Sequence, residues 1–215
     1  MVQVYGMSII DLPDPKEYSE MMKDFSDERK EKILRYMKVQ DRRQGLAAGL
    51  LLNHVLKCHG FFMDEILYGI HGKPEIRGLF FNLSHSHDYV LCAVSEKPVG
   101  CDVEKIGDFR KKLAEHYYTT YEVDYLNGLK DKEKAVEFYR IWTMKESYMK
   151  MTGEGLSLGL KRCEFRFGAS IQVYQDGEKC DCHIQEYVID GYKVTVCAKE
   201  KDFAETIQWI NSMEI

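Results

Sequence analysis

Helical and extended periods follow one another twice along this 215-residue chain, an order that points to a mixed α+β fold. Ser26 followed by "DERKEKILRYMK" reads as an N-capped helix. "RRQGLAAGLLLNHVLKC" follows, with Leu46, Leu50 and Val55 beside the small Gly45 and Gly49, as a closely packed buried helix requires. The period then changes. "LFFNLSH" and "YVLCAVS" are short, rich in Val, Leu, Phe and Tyr, and separated by the turn "SHSHD", so they read as strands. A second round opens with the extended "PVGCDVEKI" and continues with a helix over "EKAVEFYRIWTMKESYMKMTGEGL", ended by Gly153. "CEFRFG", "SIQVYQDG", "HIQEYVIDG" and "YKVTVCAKE" follow as strands of a meander. "LCAVSEK" (Leu91 to Lys97) is echoed by "VCAKEK" (Val196 to Lys201), each ending a strand, which is compatible with two similar α+β halves meeting near residue 100.

Composition narrows the function. A chain 45% apolar and 30% charged is an ordinary globular protein, and a net charge of −5 argues against nucleic acid as the main partner. No run approaches the roughly 20 apolar residues that a bilayer span needs, and the start "MVQVYGMSIIDLPDP" lacks a basic flank ahead of an apolar stretch. Neither a membrane nor a nucleic acid is expected as partner. Seven cysteines, most scattered singly, fit reduced thiols and a cytoplasmic location. "CDCH" (Cys180, Cys182, His183) lacks a second cluster of zinc-like spacing, and His85 with His87 lacks a third imidazole. Between Asp27 and Arg43 the acidic chain carries seven basic residues against four acidic ones, either a solvated helix face with pairs such as Glu31 and Arg35 or a patch for an anion.

Two constellations carry chemistry. Strand alternation sends Asp102 and Glu104 to one face while Cys101 and Val103 point into a core. Neighbouring carboxylates repel unless a cation lies between them or one is protonated. Oxygen donors without thiolate or imidazole favour Mg²⁺ or Mn²⁺, and Mg²⁺ takes few protein carboxylates with phosphate oxygens and water. The bland alternative is a strand end with its acids in solvent. On the second helix, Phe138, Ile141, Trp142, Tyr148 and Met149 form an apolar stripe, with Glu146 and Lys150 along its border. Glu146 suits a third metal ligand or a base, and Lys150 a group that offsets phosphate charge or protonates a leaving group; an exposed i,i+4 pair is the plain alternative. Lys145 falls inside the stripe, where it must snorkel or find a buried partner.

These motifs resemble the 4'-phosphopantetheinyl transferases, in particular the larger pseudo-dimeric class typified by the surfactin synthetase activator. "G-x-D-x-E" stands here as Gly100, Asp102 and Glu104, and "W-x-x-K-E-(A/S)-x-x-K" as Trp142, Lys145, Glu146, Ser147 and Lys150. "GKP" (Gly72 to Pro74), "FNLSHS" (Phe81 to Ser86) and "GEGLSLGL" (Gly153 to Leu160) extend the likeness to about residues 25 to 165. Cys101 replaces the usual Ile or Val, and Arg43 stands where relatives often have His.

The resemblance implies pseudo-twofold α+β halves, residues 1–100 and 101–215, each a small mainly antiparallel sheet packed with a long helix, with the site between them. It implies transfer of the phosphopantetheine arm of coenzyme A to a serine of an acyl or peptidyl carrier protein, releasing 3',5'-ADP. Asp102, Glu104 and Glu146 would hold Mg²⁺; Glu146 would help deprotonate the carrier serine and Lys150 would assist pyrophosphate cleavage. Arg29, Lys32, Arg43, Lys73, Pro74, Ser84 and His85 would contact the coenzyme A nucleotide, and the enzyme would act as a monomer. Its rivals are a Mg²⁺-dependent phosphate hydrolase, for which no phosphate loop of the G-x-x-x-x-G-K-[ST] type is present, and a non-catalytic carrier-binding relative, which would be expected to lose Glu146 or Lys150.

Overall fold

The computed structural model describes residues 1–69, 74–154 and 159–212. Ser26 caps helix α1 (Asp27–Arg35), its hydroxyl accepting from the Arg29 N–H, and α2 (Val39–Cys58) follows after a short break. Leu46, Leu51, Leu52, Val55 and Leu56 of α2 are buried. Complete burial of such a side chain stabilises by about 1.5–3 kcal/mol. They pack against a sheet of order β12-β1-β5-β4, made of β1 (Gln3–Ser8), β4 (Phe80–Ser86), β5 (Tyr89–Ser95) and the short β12 (Gln208–Trp209). All pairs in it are antiparallel except β1 with β12, so the end of the chain returns to the first strand. A two-stranded ribbon, β2 (Leu67–Tyr68) with β3 (Pro74–Glu75), lies between α2 and β4 in sequence.

A second antiparallel sheet has the order β10-β11-β6, from β6 (Val99–Lys105), β10 (His183–Ile189) and β11 (Tyr192–Ala198). Helix α5 (Asp131–Thr152) lies across β6 and β11, preceded by α3 (Lys111–Tyr117) and α4 (Thr120–Asn127). Gly153 ends α5 with a φ of 78°, the left-handed conformation that glycine adopts without penalty. The two echoing segments begin on β5 and β11, each paired on both sides within its sheet, and run past the strand ends.

The expected single meander is corrected. β7 (Cys163–Arg166) and β8 (Gln172–Gln175) pair with each other and with β9 (Glu178–Lys179), while β10 and β11 belong to the β6 sheet. The physical reason is burial: β11 reads "YVTVCA" at its buried positions and needs cover on both faces, which α5 supplies on one side and Val2, Val4, Leu91 and Ala93 of the first sheet on the other.

Candidate active site

The two sheets meet along β4 and β6 through side chains. Asn82 Oδ1 accepts from the Cys101 N–H at 2.9 Å, Ser84 Oγ from Val103 N–H at 3.3 Å, and Ser86 Oγ from Lys105 N–H at 3.2 Å. The alternating polar residues of "FNLSHS" therefore do for β6 what a neighbouring strand's carbonyls would do. Each serine also donates to a carboxylate: Ser84 to Asp102 Oδ1 at 2.8 Å and Ser86 to Glu104 Oε2 at 3.0 Å. Both motif carboxylates are thus oriented by the opposite sheet.

Helix α5 comes against β6 with almost no side chain between them at Gly100. A Cβ there would collide with the backbone of Ser147 and Met151, so only glycine permits the approach. The close approach brings Lys150 over the strand. Its Nζ donates to Asp102 Oδ1 at 2.6 Å, to Ser84 Oγ at 3.1 Å and to the Cys101 carbonyl at 3.1 Å. Asp102 is buried, at 4% exposure, which discards the picture of an acidic strand end in solvent. Its second oxygen, Oδ2, is buried without a hydrogen-bond partner. A buried carboxylate oxygen left open is costly unless a donor or cation occupies the place.

Electrostatics agree with a cluster short of positive charge. Burial, then the Asp102 charge, push the Glu104 carboxyl up to about 7, against Ser86 and Lys150, which lower it. Burial and then Asp102 likewise raise Glu146, with Lys150 opposing. Burial would depress the Lys150 ammonium, but Asp102, Cys101 and Glu146 outweigh it and its pKa is raised, so the lysine stays charged. Asp102, Glu104 and Glu146 are the residues that could hold a divalent ion. Among the described residues no three ligating side chains meet as a ready-made metal cage.

A cavity of about 490 Å³ opens beside this cluster, lined by Arg29 and Lys32 of α1, Asp41 and Gln44 of α2, Tyr68, Pro74 and His85, among others. His85 stands next to Ser84 on β4 and faces the cavity while Ser84 faces Asp102, so β4 separates the two compartments. Burial, then Lys150, lower the His85 imidazole. Arg29 packs over the Phe25 ring at 5.4 Å, and burial lowers its guanidinium; its Nε has no hydrogen-bond partner. Arg43 is half-buried, its Nε also without a hydrogen-bond partner, and it does not line the cavity. Lys73, like Gly155 to Leu158 of "GEGLSLGL", lies outside the described residues. A second cavity, about 530 Å³, is lined by Glu104 itself together with His87, Arg110, Phe138, Tyr139 and Trp142.

Lys145 does not snorkel but has a buried partner. Its Nζ bonds Glu122 Oε2 at 2.7 Å and the Leu160 carbonyl at 3.0 Å, and also the Cys163 carbonyl, all fully enclosed. Glu122 in turn accepts from the N–H groups of Phe165 and Thr119, each at 2.9 Å. Glu122 was missed by sequence reasoning; "TTYE", a Thr119 to Glu122 capping box, was the available signal.

Comparison with known proteins agrees with these motifs. The family model described as 4'-phosphopantetheinyl transferase superfamily matches residues 98–197. The chain is 32% identical to the 4'-phosphopantetheinyl transferase Sfp of Bacillus subtilis, with all of both chains covered. It is 26% identical to the 4'-phosphopantetheinyl transferase gsp of Aneurinibacillus migulanus, over 92% of this chain and 86% of that one. A holo-(acyl-carrier-protein) synthase from Bacillus anthracis, solved in complex with CoA (3',5'-ADP), overlays 47% of this chain and 93% of its own, at 18% identity and a TM-score of 0.41. With a relative above 30% identity spanning its whole length, this chain belongs to the 4'-phosphopantetheinyl transferase superfamily.

Proposed function

We propose that this protein transfers the phosphopantetheine arm of coenzyme A to a serine hydroxyl of an apo acyl or peptidyl carrier protein, releasing 3',5'-ADP. The observation that carries the reading is the Lys150–Asp102–Ser84 cluster, with Asp102 Oδ2 open, beside a cavity bearing Arg29, Lys32 and His85. The relatives that match along the whole chain bear the same activity in their names.

The cavity holds the nucleotide end of coenzyme A in this reading, with Arg29 and Lys32 toward its phosphate charge and Pro74 and Tyr68 against its apolar parts. Arg43 and Lys73 are assigned to the same anionic ligand by the family motif alone. The donor set Asp102, Glu104 and Glu146 fits Mg²⁺, with Mn²⁺ as a substitute, because it is all oxygen and short of positive charge. When bound, the ion would neutralise pyrophosphate oxygens. Lys150 stays protonated beside Asp102 and so offers a proton and a charge to the oxygen of the departing 3',5'-ADP. Glu146, its carboxyl raised by burial and Asp102 in the metal-free protein, would help draw the proton from the carrier serine, directly or through water. Ser84 and Ser86 hold the carboxylates in register while this happens. In this reading β4 of the first sheet and β6 with α5 of the second would each supply part of one site, so that a single chain in the cytoplasm would suffice.

Intact-mass measurement of an apo carrier protein after incubation with the enzyme, coenzyme A and Mg²⁺ tests this. A gain of about 340 Da, one phosphopantetheine, is expected. Coenzyme A consumed with no mass gain on any of several carriers would replace transfer with hydrolysis.

A further inference from the structure

The "CDCH" segment, which the proposed transfer does not use, finds thiols from elsewhere in the chain. Cys182 precedes β10, and Ile184 pairs with Cys197 of β11, so alternation puts Cys182 and Cys197 diagonally on one sheet face. Both belong to one cluster with Cys163, Cys180 and Met151. Cys197 is fully buried and its thiol donates to Met151 Sδ at 3.6 Å, while Cys182 is only partly covered. Cys180 is engaged by the Tyr148 hydroxyl at 3.2 Å. Lys199 stands across from Cys182 and donates to the Asp181 carbonyl at 2.7 Å. A soft-metal centre does not follow, because no three ligating side chains gather among the described residues. Two thiols on one sheet face and in one cluster, one partly covered and one enclosed, fit thiol–disulfide chemistry instead.

We propose that Cys182 is a site of oxidation by hydroperoxides, and that Cys197 resolves the oxidised sulfur to a disulfide. In the first step the Cys182 thiolate attacks a peroxide oxygen: an S–O bond forms, the O–O bond breaks, and hydroxide (from hydrogen peroxide) leaves. In the second, Cys197 sulfur attacks the sulfenic sulfur: the S–S bond forms, the S–O bond breaks, and water leaves with the Cys197 proton. Two thiols and one hydrogen peroxide give one disulfide and two waters. The local surroundings favour the first step, since the neighbouring Cys197 thiol and then Lys199 lower the Cys182 thiol, whereas burial pushes Cys197 up. Cys197 pairs with Gly100 of β6 and touches Met151 of α5, so the disulfide would close beside the strand–helix contact that carries Asp102 and Lys150.

The test treats reduced full-length protein with equimolar hydrogen peroxide, blocks the remaining thiols and maps the peptides by mass. A Cys182–Cys197 disulfide is expected, absent in Cys182→Ser. In Cys197→Ser, Cys182 should persist as a sulfenic acid captured by dimedone; Cys197→Ala gives the same readout if the serine variant fails to fold. Cys182 should react ~10-fold faster than the exposed Cys58. Equal rates at Cys58 and Cys182, a Cys180–Cys182 disulfide, or no disulfide would overturn the proposal.

Discussion

Lys145 and Lys150 lie on the same helix, and each meets a buried carboxylate at less than 3 Å, yet the two surroundings differ in kind. Lys145 and Glu122 have no exposure, and each is also hydrogen-bonded to backbone at separate points of the chain. The pair ties α5 to the start of α4 and to the segment entering β7. Lys150 keeps 28% exposure, and its partner Asp102 retains an oxygen with no hydrogen-bond partner. The first pair is closed and complete; the second is open on one side. Buried ion pairs are weak evidence for stability, but breaking one is costly because a bare charge remains. Completeness therefore separates a pair that holds the fold from one left able to act on a ligand.

The largest expected effect falls on the closed pair. Lys145→Ala should cost about 3–5 kcal/mol in urea unfolding, the usual loss when one partner of a buried pair is removed. Lys145→Met combined with Glu122→Leu should recover most of that loss and keep transfer activity. If the double variant folds but is inactive, Lys145 also serves the chemistry and the contrast between the pairs fails. Asp102→Asn comes next. Transfer should fall ~10²–10³-fold, the scale of losing one electrostatic contact in a reaction centre. Its unfolding midpoint should move less than that of Lys145→Ala, because the asparagine can still accept from Ser84.

Much of this contrast was legible in the sequence, and its limits have physical causes. "G-x-D-x-E" and the second helix were readable because alternation and helical period fix which side chains share a face. That Lys145 must snorkel or find a buried partner also followed from its place in the apolar stripe. The partner did not, because Glu122 comes from α4, and no local pattern reports a contact made across the fold. Nor did the strand period reveal the burial of Asp102: it gives a face but not what covers it, and here the cover is β4 with its serines. Ser84 was read as a ligand contact, and the geometry adds what the motif did not report: Ser84 and Ser86 also form the seam between the sheets. The β9 break was invisible because "DGEKC" is as compatible with a simple turn as with a third short strand.

The pH dependence of stability sharpens the same comparison. Glu104, pushed up to about 7 in the folded protein from an ordinary 4.5, binds a proton in the fold that it has lost in the unfolded chain between those values. Glu146 shifts in the same direction. The unfolded state therefore binds fewer protons there, and stability must fall as pH rises from about 5 to about 8. Urea midpoints in EDTA at the two ends of that window check the sign, and Mg²⁺ should reduce the slope by supplying the missing positive charge. A midpoint that rises with pH in EDTA would show that the carboxylates are already compensated. The smallest effect is expected for Ser86→Ala, which removes the hydroxyl between Glu104 and the Lys105 N–H: about 1 kcal/mol in unfolding. Titration calorimetry with Mg²⁺ and coenzyme A should show weaker ion binding in that variant.

The central claim is that Lys150 acts on the reaction while Lys145 acts on the fold. It is tested most directly by the single-turnover rate of carrier modification in Lys150→Met, followed by intact mass at saturating coenzyme A. The rate should fall ~10²–10³-fold while the affinity for coenzyme A and the folded state are largely retained, as expected for a group whose contribution is made in the transition state. Modification at the wild-type rate by a folded Lys150→Met enzyme would contradict the account.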